Sequence, residues 1–143
     1  MRYTGPMTPL YSTITLCAEF IVSGAIFYAL WSGWVRNRFP QKIVIAALSY
    51  EVLFNISYMV FRTAQDREDA FLPPAVVALA AFHGILSLIM FLTLLAFFFT
   101  AWKRYRAGIN FFKTNPRLML TFGVFWTLSV LSGALLYVLT YLR

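Results

Sequence analysis

The chain has 143 residues, of which 61% are hydrophobic and 12% charged, and a formal net charge of +7. Soluble domains carry about 45–50% apolar and about 25% charged residues, so too little polar surface is left here to face water, and the chain is far too apolar for disorder. The one cysteine, Cys17, excludes a disulfide scaffold, and an integral membrane protein remains.

A spanning helix needs roughly 20 mostly apolar residues. Four stretches qualify, 10–35, 43–61, 75–102 and 118–142, together 98 of the 143 residues. They are continuous apolar runs without strict alternation, which argues against a barrel. Helices satisfy every backbone group within their own segment, as lipid requires. The expected fold is therefore all-α: a four-helix transmembrane bundle forming a single domain over 1–143.

The first stretch is too long for a signal-peptide core, and its basic residues Arg36 and Arg38 follow it, so it reads as a retained helix. Pro40 then ends any continuation. The second stretch carries Glu51, Asn55, Tyr58 and Arg62 at i, i+4, i+7 and i+11, one stripe along the helix. Pro73-Pro74 stops and restarts the chain before the third stretch, and Asn115-Pro116 opens the fourth. The loops between spans run 7, 13 and 15 residues, too short for a separate catalytic domain.

Lys and Arg set the expected orientation. The first and third loops hold eight (Arg36, Arg38, Lys42, Lys103, Arg104, Arg106, Lys113, Arg117) against four (Arg2, Arg62, Arg67, Arg143) on the other side. The positive-inside rule places those two loops in the cytoplasm and both termini outside. The acids Asp66, Glu68 and Asp69 of the second loop have little weight in this. The expected location is the bacterial inner membrane, multi-pass. Basic residues at span ends are ordinary topology signals that also attract anionic lipid, so no nucleic-acid partner is expected. Trp31, Trp34 and Trp102 at one side and Tyr3, Tyr11, Tyr58, Tyr137 and Tyr141 at the other read as interfacial belts.

Three titratable residues fall inside the expected spans: Glu19, Glu51 and His83. Charge in hydrocarbon is costly, so each is a candidate functional group. Counted along their helices, all three lie roughly 12–15 Å below the outer boundary, a level that Ser132 and Gly133 share on the fourth helix. Glu19 has Ser23 one turn on and Gly24 beside it; His83 has Gly84 beside it and Ser87 and Met90 at i+4 and i+7. Ser129 and Gly133 form a small-xxx-small pair suited to close helix approach, and Gly24 is a further packing candidate.

Three readings of this polar layer (Glu19, Glu51, Asn55, His83, Ser87) stand side by side. It is a hydrogen-bonded cluster holding the bundle together; or a cofactor site, with His83 as axial ligand to haem or a chlorin, or His83 and the two carboxylates around a transition metal; or a proton or ion path. One histidine cannot make bis-His haem. Cys17 reads as packing. No phosphate-cradling glycine loop, HExxH or nucleophile elbow occurs, so no enzyme is expected and no catalytic residue is assigned.

The segments AALSYEVLFNISYMVFR, FHGILSLIMFLTLLAFF and PRLMLTFGVFWTLSVLSGALLYVLTYL, with Trp126, Ser129, Gly133 and Tyr137 in series, resemble a small family of four-helix bacterial membrane proteins linked to maturation of haem–copper cytochrome oxidases (the CtaM type). The resemblance covers about residues 43–143. It departs from the family where further histidines follow the second helix and precede the fourth: this chain has Arg62-Thr63 and Asn115-Pro116-Arg117 there, and His83 alone matches. It implies a non-enzymatic accessory subunit or assembly factor of a respiratory or electron-transfer complex, with other integral membrane subunits and lipid as partners.

Overall fold

In a computed structural model, residues 8–64 and 73–142 are described. Five helices occur among them: α1 (Thr8–Val35), α2 (Gln41–Ala64), α3 (Pro74–Arg106), α4 (Phe111–Thr114) and α5 (Pro116–Tyr141). There is no strand among the described residues. Three of the helices are long and apolar enough to cross a membrane: α1 over Leu10–Val35, α3 and α5. α2 is also of membrane length, and between Ile43 and Val60 it is mostly apolar with Glu51 its one charged residue.

The long helices are neighbours around a ring. α1 packs on α2 and α5, and α3 packs on α2 and α5; among the described residues neither diagonal brings two helix backbones close together. The expected segments 10–35, 43–61, 75–102 and 118–142 become 8–35, 41–64, 74–106 and 116–141: the second and third grow at both ends, the first and fourth at their starts. α3 begins on Pro74, whose missing N–H costs nothing at a helix start, and continues four residues past Trp102 to Arg106. It stops at Gly108, whose φ of +78° only glycine adopts freely. The expected 15-residue third loop is largely structured, since α3 takes its first turn and α4 part of the remainder.

α4 sits under the bundle as a plug. Asn110 caps it, accepting a hydrogen bond from the Lys113 amide at 3.1 Å. The Asn110 amide donates to the Gly33 carbonyl at 2.8 Å and to Asn37 Oδ1, tying α4 to the end of α1. Asn37 takes φ 54°, a left-handed conformation that asparagine tolerates. This places Phe111 and Phe112 inside the molecule. Phe112 lies over Gly33, where an added Cβ would meet its ring at 2.1 Å. Phe97 stacks on Phe122 with centroids 4.6 Å apart, and Phe39, Phe98, Phe111 and Trp126 complete an aromatic knot.

The outer surface is apolar. Ile21, Leu53, Val124 and Ile85 are each at least 64% exposed, a finish that suits lipid and not water. The charged residues from Arg36 to Lys42 and from Lys103 to Arg117 gather at the α4 end. There Arg36 lies 4.6 Å over Trp31 and Arg106 5.2 Å over Trp102.

Candidate functional site

The polar layer expected from the sequence separates into two places. Among the described residues no three of His, Cys, Asp and Glu come close enough to hold a metal, so His83 does not join Glu19 and Glu51 in a ligand set. Helical depth alone cannot show this, because it fixes height along the bundle but not position around it.

The first place lies at the α1–α2 side. Glu51 is buried, 4% exposed. Its Oε2 accepts from the Asn55 amide at 3.3 Å, and the same amide reaches the Glu51 carbonyl at 2.8 Å. Its Oε1 is buried with no hydrogen-bond partner. Glu19 is half-buried on α1, the helix packed on α2. The side chain of Arg62, the far member of the expected stripe, lies outside the described residues.

The second place is the α3–α5 seam. His83 Nδ1 lies 2.9 Å from Ser132 Oγ. The Ser132 hydroxyl donates its one proton to the Ser129 carbonyl at 2.7 Å, so it can only accept from His83. In that arrangement Nδ1–H is the donor to Ser132, the Ser129 carbonyl is a further partner of the imidazole, and the Nε2 edge lies against Gly133. The ring lies directly on Gly133, where an added Cβ would sit 2.8 Å from Cε1. The expected Ser129/Gly133 pair thus admits a side chain as well as a backbone. His83 bonds Ser132 rather than Ser87, the residue one turn along its own helix.

Two expected roles are corrected. Ser23 does not support Glu19: its hydroxyl accepts from Trp126 Nε1 at 3.0 Å, a buried bond joining α1 to α5. Gly24 is exposed, and a Cβ there would meet nothing within 4 Å, so it is no seam of this chain. The close-packed glycine of α1 is Gly33. Its signal in the sequence was only its distance from Asn110-Phe111-Phe112, and that contact spans 79 positions. Gly84 beside His83 is likewise open. At the end away from α4, Thr13 and Tyr137 hydroxyls meet at 2.5 Å and Ser12 donates to the Tyr141 hydroxyl at 3.1 Å, so two belt tyrosines also fasten α1 to α5.

The interior offers little volume. The gap lined by Gly33, Phe39, Ala101, Tyr105 and Phe111 amounts to about 10 Å³, and the one lined by Ala25, Ile26, Ala29, Val44 and Phe98 admits no water. Comparison with known protein families, curated proteins and solved structures finds no match to this chain.

Proposed function

We propose that α1, α2, α3 and α5 form one transmembrane bundle of the bacterial inner membrane, with both termini outside, and that the protein is a non-enzymatic accessory subunit or assembly factor. The parent assembly in this reading is a respiratory or electron-transfer complex, on the strength of the CtaM-type resemblance. The observation that carries the packing role is the pair Gly24 and Gly84. Both lie in apolar helices, both face outward, and neither touches the rest of the chain. Lipid needs no glycine, whereas a neighbouring membrane helix approaches closest over one. α3 adds to this: 11% of its apolar window is buried within the chain, against 28% for α1 and α5. The filled interior argues against an ion conduit through the bundle.

Gentle purification with a mass-spectrometric census of co-purifying chains tests the reading. Stoichiometric membrane partners are expected, and they are lost in Gly24→Leu or Gly84→Leu proteins that keep their own helicity. A stable solitary protein, or partners indifferent to both changes, overturns it.

A second reading starts from the anchoring of His83. A ligating histidine commonly has its other ring nitrogen fixed by an oxygen, and Ser132 Oγ lies 2.9 Å from Nδ1. The chain offers one such ligand, which fits single axial ligation of haem or a chlorin at the α3–α5 seam. A His83→Ala protein with an unchanged absorption spectrum removes this reading.

A further inference from the structure

Glu51 is the one carboxylate that the described chain buries almost completely. A buried oxygen with no donor loses the hydrogen bonds that water supplied. Oε2 has the Asn55 amide, but Oε1 has nothing. The groups facing it are few. α1, packed on α2, carries Glu19, a second acid, and α2 itself carries Tyr50 and Asn55, whose amide bonds Oε2. α3, the other helix packed on α2, brings no charged residue there: its lysine and arginines lie at 103–106, and its His83 is engaged with Ser132. Among the described residues no cation is seen to compensate the carboxylate.

The missing element is thus positive, and the space decides what it is. A sodium ion needs several oxygens at ordered distances and room to hold them. Among the described residues no three of His, Cys, Asp and Glu gather to supply them, and the gap one turn along the seam, at Ala47 and Leu48, is too small for water. A proton needs one oxygen and no volume. We propose that the buried Glu51 carboxyl of α2 is an exchangeable proton-binding site, to which Glu19 of the adjoining α1 is coupled. Proton binding turns Oε1 from a buried acceptor without a donor into a neutral hydroxyl and removes the charge that burial penalises. This site is separate from His83 and independent of the subunit role proposed above.

Infrared spectroscopy of the intact protein in lipid tests the site, because it needs no reagent to reach a buried group. At neutral pH the spectrum is expected to contain a protonated-carboxyl C=O band that moves on transfer to D2O, disappears in Glu51→Gln and changes position in Glu19→Gln. Glu51→Asp keeps the carboxyl and is expected to keep a displaced band if Glu51→Gln fails to fold. Ionised carboxylates alone at neutral pH, a band unaffected by Glu51→Gln, or a band immovable in D2O overturns the proposal. So does loss of the band on adding sodium chloride at constant pH, which assigns the site to sodium.

Discussion

The two halves of the molecule are built on different principles. Toward α4, the interior is a knot of Phe97, Phe98, Phe111, Phe112, Phe122 and Trp126, closed by an asparagine bracket and ringed outside by arginine and lysine. Away from α4, the interior holds hydroxyls, two carboxylates and an imidazole, joined pair by pair. Aromatic packing gains dispersion at every contact and leaves no polar atom behind. Buried polar pairs gain little net stability and are costly when half satisfied. The contrast teaches that one half joins its helices by packing and the other by polar pairs, which leaves Glu51 Oε1 unpartnered in the second.

The largest break in that comparison comes from the knot. Phe98→Ala is expected to destabilise by about 3–5 kcal/mol, the usual cost of emptying a packed aromatic site, read as thermal unfolding in detergent. Gly33→Leu strikes the same half from the other direction, because the first added atom already overlaps Phe112; about 1–3 kcal/mol of overpacking is expected. A knot that tolerates both without loss would erase the distinction.

At the boundary between the halves, Ser23→Ala leaves the buried Trp126 N–H unsatisfied. About 1–3 kcal/mol is expected, with Trp126→Phe costing less because it removes the donor too. Within the polar half, Ser132→Ala should cost about 0.6 kcal/mol, the average for a hydrogen bond between membrane helices. Its sharper readout is nitrogen NMR of His83, where the fixed Nδ1–H form should give way to a mixture. The smallest effect is at the outer surface: Gly84→Ala, with open space for its methyl, should stabilise the helix by about 0.5–1 kcal/mol. A loss there would mean that the glycine is used within the chain after all.

Much of the helical framework was legible along the chain because its cause is local. An apolar run of membrane length, the prolines at 40, 74 and 116, and the basic residues at span ends each act where they stand. α2 shows the limit of that reading. Its Glu51 and Asn55 stand out in an apolar run, while its place in the ring depends on what α1 and α3 offer it. Glu51 and His83 were visible as misplaced polar residues, yet their common depth suggested one layer where the fold makes two sites.

The sequence by itself determined an all-helical, lipid-suited chain and named the intramembrane groups, since hydropathy and proline act residue by residue. Only the tertiary structure decided their partners: Ser23 for Trp126, Ser132 for His83, Phe112 for Gly33, and no donor for Glu51 Oε1. Each of those relations depends on the rotation of one helix against another. That rotation is set by the packing of side chains far apart in the chain, and no local pattern encodes it.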